Sequence, residues 1–109
     1  MAQELAAAIS YDFGRGRLDP TVYPFEVSHG ADNVRITTRF NPSFVSAAIF
    51  GTLHESGHGI YEQGVDPAYG RTALATNLPD MCAVGGTSFG AHESQSHLFE
   101  NHVGRSRSF

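Results

Sequence analysis

The chain has 109 residues, of which 40% are apolar and 17% charged, with a formal charge of -4 and an isoelectric point near 5.8. That length suits a single domain, 1–109, around one core, and the acidic balance lacks the clustered positive charge that phosphate binding needs, so no nucleic acid partner is expected. No apolar run approaches the roughly 20 residues that span a bilayer, and the opening MAQELAAAIS has no leader-like pattern. No membrane partner and a cytoplasmic location are therefore expected. Cys82 is the sole cysteine, which excludes an internal disulfide and fits a reducing compartment.

Residues 2–9 are rich in alanine and leucine and predict a short helix, which the segment Tyr11 to Asp19, with Gly14 and Gly16, should break. Pro20 and Pro24 keep the following stretch extended. Two strand candidates come next, Phe25 to Ser28 and Val34 to Phe40. The residues between them, His29-Gly30-Ala31-Asp32-Asn33, have the chemistry of a hairpin turn. Asn41-Pro42 reads as a helix opening, with asparagine capping free N–H groups and proline at the first helical position. Apolar residues Phe44, Ala47, Ala48, Phe50, Leu53 and Ile60 recur at helical spacing, so a long helix is predicted over 42–63, with Gly64 as a left-handed cap. Val65 to Thr87 is loop-like and long enough to suggest a functional role. A second helix should open near Thr87 or Ser88 and run through His92, Glu93, Leu98, Phe99 and Val103.

The first long helix carries His54-Glu55-Ser56-Gly57-His58. Two imidazoles one turn apart share a helix face and can grip one ion. Imidazole is a preferred zinc ligand, and a catalytic zinc takes three protein ligands and keeps a position for water. Glu55, beside the first imidazole, is placed to take a proton from that water and pass it to a leaving amine. The pattern therefore points to metal-assisted hydrolysis, with one divalent ion per site: zinc, or cobalt or manganese in its place.

The third ligand must come from elsewhere. Glu93, near the start of the second predicted helix, is the leading candidate if that helix packs back against the first. His92, His97 and Glu100 compete with it, and His97 and Glu100 could instead support the ligands from outside.

Taken together, His54-Glu55-Ser56-Gly57-His58-Gly59-Ile60-Tyr61-Glu62-Gln63-Gly64 and Gly90-Ala91-His92-Glu93-Ser94-Gln95-Ser96 resemble the thermostable carboxypeptidase Taq family of zinc metallocarboxypeptidases. Val34-Arg35-Ile36-Thr37-Thr38-Arg39-Phe40 resembles that family's Asp-x-Arg-x-Thr region, and Glu100-Asn101-His102-Val103-Gly104-Arg105-Ser106 its continuation after the glutamate ligand. The resemblance implies removal of residues from peptide C-termini, with His54, His58 and Glu93 on zinc and Glu55 as general base. Arg35, Thr37, His92 and His97 would then be substrate-binding or supporting residues. Asn33 stands where the family has aspartate, His97 where it has arginine, and Phe99 where it has tryptophan.

The expected architecture is mainly α (α+β), a zincin-like core with a β-hairpin followed by two long metal-bearing helices. Family members are several times longer, so the chain reads as a core fragment, and the groups that recognise the substrate carboxylate are expected outside it. Arg35, Arg39, Arg71 and Arg105 are the nearest candidates for that recognition within the chain. The expected partners are a peptide substrate and, because apolar helix surface around Phe44, Phe50, Leu98 and Phe99 should be uncovered, further copies of the chain in a homo-oligomer. The alternative is a metal-binding, catalytically weak or inactive homologue that needs another chain or self-assembly. An endopeptidase is a third reading.

Overall fold

The computed structural model describes residues 1–70, 72 and 89–109. In chain order these form α1 (Ala2–Ala8), β1 (Gly16–Pro20), β2 (Glu26–Ser28), β3 (Val34–Thr38), α2 (Val45–Gln63), a single 3-10 turn (Pro67–Tyr69) and α3 (Phe89–His97). The last helix widens into a π-helical turn over Leu98–Val103. A helical core with one small sheet is the mixed, mainly α class that the sequence implies.

The hairpin forms as expected. β2 and β3 pair antiparallel with Glu26 opposite Ile36 and Ser28 opposite Val34, and Gly30 takes φ +126° in the connecting turn, a conformation that favours glycine. A third strand joins it. The segment 16–20, expected to be irregular, pairs parallel to β3 with Leu18 opposite Ile36, giving the order β1-β3-β2. Its local propensity is poor, but it is an edge strand, where Pro20 is tolerated at the end. Tertiary contact supplies what propensity lacks: the Tyr11 hydroxyl donates to the Val34 carbonyl at 2.8 Å, and a Cβ on residue 16 would strike both groups, so only glycine fits there.

Two helix-end expectations are corrected. Asn41 does not cap α2; its side chain accepts from the Ser43 N–H at 3.0 Å and its carbonyl from Phe44, forming a tight turn, and the helix starts three residues later than expected. Gly64 is right-handed, with φ -82°. A left-handed cap is not needed, because Arg15 donates to the Gln63 carbonyl at 2.9 Å, a group that a helix end otherwise leaves open. The Gln63 amide also bonds the Asp12 backbone in both directions, at 2.9 Å each, tying the end of α2 to the turn after α1. Thr87 and Ser88, expected at the start of the second helix, and most of the expected loop lie outside the described residues.

The apolar core lies between α1, the sheet and α2. Ala2, Ala6, Tyr11, Leu18, Val34 and Ile36 are buried together, with Phe13 and Ile60 against them. α2 reaches the sheet closely because of Gly59, whose absent Cβ would lie 2.7 Å from the Tyr11 ring. Thr52 and Thr38 hydroxyls meet at 3.2 Å on the same face. Phe44 and Leu98 are exposed, at 59% and 44%, as are Val22, Tyr23 and Phe40. No helix among the described residues is long and apolar enough to cross a membrane.

Candidate metal centre

The opposite face of α2 meets α3, and the pairing of residues shows that the two helices run in opposite senses: His54 lies near Glu100, His58 near Glu93, and Glu62 near His92. The approach depends on Gly57, since a Cβ there would fall 2.6 Å from the Ser96 Cα and 2.8 Å from the Gln95 carbonyl oxygen. The two glycines of the stretch 54–59 thus have separate tasks: Gly57 admits α3, while Gly59 admits Tyr11 and the sheet.

Across this contact two ring nitrogens and one carboxylate converge. His54 Nε2 and His58 Nε2 are 3.2 Å apart, His58 Nε2 is 3.1 Å from Glu93 Oε2, and His54 Nε2 is 3.9 Å from Glu93 Oε1. Donors bound tetrahedrally to zinc at its usual bond lengths stand about 3.4 Å from one another, so these separations bracket the required spacing. Protonation agrees. The Glu100 carboxylate is 2.9 Å from His54 Nδ1, which places the ring hydrogen there and leaves a lone pair on Nε2 facing the centre. Burial alone pushes Glu100 up, but the hydrogen bonds from His54 and Arg105 outweigh it and hold the carboxyl below its ordinary value. His58 is pushed down to about 4 by burial and by its neighbours His92 and His54, so its ring is neutral at ordinary pH, as ligation requires. Two imidazole nitrogens and a carboxylate brought within 3.9 Å of one another suit a cation.

Glu55 is buried and lines a cleft with Phe25, Glu26, His58, Phe89 and His92. Burial, with the negative charges of Glu93 and Glu100, raises it to about 7, where a carboxyl exchanges protons readily at neutral pH. A bound cation would draw that value down.

The remaining residues singled out by sequence are distributed as follows. His97 Nε2 lies 3.2 Å from Glu93 Oε1 and its ring meets the edge of His54, so it borders the centre. His92 lies behind His58, at 2.5 Å between the two Nδ1 atoms, and its Nε2 is 2.9 Å from Glu62 Oε1. Arg35 and Thr37 are not brought to the centre. Arg35 is exposed and bonds the Asn33 side chain at 3.2 Å. Thr37 accepts from the Phe25 N–H at 2.8 Å and donates to the Tyr23 carbonyl at 3.1 Å, which positions the segment that carries Phe25 and Glu26 into the cleft. Arg105 binds Glu100 at 3.1 Å and stacks on Phe50. Arg71 lies outside the described residues.

Two acidic residues escaped the sequence reading. Glu62 follows His54 and His58 at the same four-residue interval, so its place on their helix face was legible. Glu26 had no such sign, because it reaches the cleft from a separate element. Among the described residues its Oε1 is buried without a hydrogen-bond partner, and burial, with Glu62 and Glu55 nearby, pushes the carboxyl up to about 8.

The sequence profile of the carboxypeptidase Taq (M32) metallopeptidase family matches residues 1–109. Thermostable carboxypeptidase 1 of Thermus thermophilus is 51% identical over 108 residues, covering 99% of this chain and 19% of that protein. Carboxypeptidase 1 of Bacillus subtilis is 48% identical over 101 residues, 93% of this chain and 18% of that protein. Among solved structures, the M32 carboxypeptidase from Deinococcus radiodurans R1 superposes with a TM-score of 0.84 at 47% identity, over 98% of this chain and 20% of that one. The chain therefore spans about a fifth of the length of the relatives it matches.

Proposed function

The chain belongs to the carboxypeptidase Taq (M32) metallopeptidase family, and from that membership we propose that it carries the zinc-binding, water-activating core of a metallocarboxypeptidase. The observation that carries this reading is the convergence of His54 Nε2, His58 Nε2 and the Glu93 carboxylate within 3.9 Å of one another, with Glu55 on the adjoining cleft. Membership in a metallopeptidase family implies a divalent metal, and the two-histidine, one-carboxylate donor set favours zinc.

When bound, zinc supplies Lewis acidity and lowers the pKa of water towards ~7. The protein's own residues do the rest. His54, held by Glu100, and Glu93, held by His97, keep their donor atoms on the centre. Glu55 takes a proton from the attacking water as that water adds to the peptide carbonyl, and returns it to the nitrogen of the leaving amine as the C–N bond breaks. The products are a shortened peptide with a new carboxylate and a free amino acid. The terminal residue as leaving group is supported by the relatives, which are named carboxypeptidases.

One observation favours a second reading, a metal site without efficient turnover: no arginine lines the cleft among the described residues, so the substrate's terminal carboxylate has no guanidinium partner there. Positioning a substrate is worth roughly 7–11 kcal/mol, and weak turnover is its expected consequence. Metal content measured beside hydrolysis of a free and a C-terminally amidated peptide separates the readings. Hydrolysis abolished by amidation supports the carboxypeptidase; cleavage that ignores amidation indicates an endopeptidase; full zinc without turnover leaves the metal-binding module. In Glu55→Gln any genuine rate should fall about 10²–10⁴-fold while zinc stays bound. Exposed apolar side chains such as Phe44 and Leu98 support self-association, which light scattering tests.

A further inference from the structure

The cleft beside the metal centre is acidic. Glu26 and Glu55 line it, and Glu62 lies behind it against His92. The chain has no lysine, and among the described residues no arginine lines the cleft. Within this group the Glu26 side chain is only 8% exposed, and among the described residues its Oε1 is buried without a hydrogen-bond partner, an arrangement that costs stability until a partner is supplied. Its place is fixed from behind. The Thr37 hydroxyl accepts from the Phe25 N–H at 2.8 Å, and the Thr37 N–H donates to the Phe25 carbonyl at 2.9 Å, so the residue before Glu26 is held at both backbone groups. Glu62 and Glu55 add like charge to the burial that already raises the Glu26 carboxyl. A cation arriving at Oε1 supplies the missing partner and holds the carboxyl in its charged form.

Two kinds of cation suit such an oxygen, and the walls of the cleft distinguish them. Glu26, Glu62 and His92 bring ligand atoms within 4.8 Å of one another, as a metal site would. Glu62 Oε1 and His92 Nε2 are, however, closed on each other at 2.9 Å, while Glu26 Oε2 stands off from that nitrogen at 3.9 Å. The remaining walls include Phe25 and Phe89, aromatic side chains exposed at 47% and 63%. A metal ion makes no use of such rings. A lysine or arginine side chain uses both features, because its apolar stem packs on the rings while its charged head reaches the carboxylate, and a guanidinium also stacks on an aromatic face.

We propose that Glu26 is a specificity-determining residue: its carboxylate receives the cationic head of a lysine or arginine side chain on one of the two residues that flank the scissile bond. Glu55 and His58 line the same cleft, so a side chain bound in it belongs to a residue next to the reacting carbonyl. The inference deepens the proposed function and rests on its reading of Glu55 and His58 as parts of a hydrolytic centre. The substrate class is then a peptide with a basic residue at the bond that is cut.

The test compares peptides that differ only in charge, with arginine or its neutral isostere citrulline at each of the two flanking positions. Binding is measured by titration calorimetry on zinc-loaded Glu55→Gln protein, so the result does not depend on turnover. At one of the positions arginine should bind about 10–100-fold more tightly than citrulline, the range of a charge-assisted hydrogen bond. Adding Glu26→Gln should remove that difference while leaving the affinity of the citrulline peptide and stoichiometric zinc unchanged. Equal or undetectable binding of the two peptides at both positions overturns the proposal, as does a preference for arginine that survives Glu26→Gln. Loss of the citrulline peptide together with the preference would make Glu26 a support of the fold and overturn it too. A second metal ion bound by the unsubstituted protein and lost in Glu26→Gln would give the position to a metal instead. Absence of stoichiometric zinc in the unsubstituted protein would remove the proposed function, and this inference with it.

Discussion

The two faces of α2 are built from opposite materials. Towards the sheet it packs Gly59 and Ile60 against Tyr11, Val34 and Ile36, an apolar contact closed by a hydroxyl pair, Thr52 and Thr38. Towards α3 it buries His58 and Glu62 against His92 and brings Gly57 against Ser96, with Glu55 on the adjoining cleft, and two buried polar atoms, Ser56 Oγ and Glu26 Oε1, have no partner among the described residues. Burying apolar area stabilises the fold at about 25 cal/mol per Å², while burying polar groups costs unless each is paired. The sheet face therefore anchors the helix, and the α3 face spends stability to hold donor atoms in a fixed arrangement. One rigid helix joins the two, so the geometry of the site depends on packing remote from it.

The largest test of this division is His58→Ala, which should abolish stoichiometric zinc while leaving the melting behaviour of the metal-free protein nearly unchanged, because the core face is untouched. Metal analysis and calorimetry read the two sides separately, and full zinc occupancy in the variant would contradict the assignment of the centre. The reverse experiment is Ile36→Ala. It removes the largest fully buried aliphatic side chain of the sheet face and should cost about 2–5 kcal/mol in denaturant unfolding. Zinc affinity should survive wherever the protein remains folded; a loss of zinc parallel to the loss of stability would mean that the two faces are not separable.

Gly57→Ala lies between them. The added methyl must displace α3 backbone at 2.6 Å, an overpacking that typically costs about 1–3 kcal/mol. Because the displaced segment follows Glu93 directly, zinc affinity should fall too, and a variant that loses stability without losing affinity would show that α3 can yield without moving its carboxylate. The smallest effect is expected at Glu26. Its carboxyl is raised from the ordinary 4.5 to about 8, so the folded state binds this proton more tightly than the unfolded chain. The resulting stabilisation is complete below pH ~4.5 and is lost as pH rises through about 8. Glu26→Gln should flatten that decline, by on the order of 1 kcal/mol after screening, in melts run in chelator from pH 5 to 9. An unaltered slope would show that Glu26 is not the group responsible.

The comparison also divides what was legible from what was not. Helix α2, the hairpin β2–β3 and the short α1 follow from local patterns, and the facing of His54 and His58 follows from 3.6 residues per turn whatever surrounds the helix. Glu62 belongs to the same stripe and could have been read with them. β1 could not, because parallel pairing joins residues distant in the chain and its own residues are poor strand formers. The left-handed cap expected at Gly64 was displaced by Arg15, a contact 48 residues away in sequence from the carbonyl it satisfies.

By itself the sequence determined that two imidazoles and a carboxylate would share one helical segment, since their spacing is a property of the helix. Helical spacing left the residue of the second helix that faces that pair open among Glu93, His92, His97 and Glu100, with Glu93 leading and implied by the family resemblance, and it is Glu93 that the tertiary structure brings beside the two rings. The depth to which Gly57 lets α3 approach brings Glu93 to His58, sends His92 behind it to Glu62, and leaves Glu100 on the outer nitrogen of His54. Tertiary structure also placed Glu26 in the cleft and kept Arg35 out of it. Sequence patterns report distances along one element, whereas the meeting of separate elements depends on how their surfaces interlock, and at this site the interlocking turns on a missing methyl group.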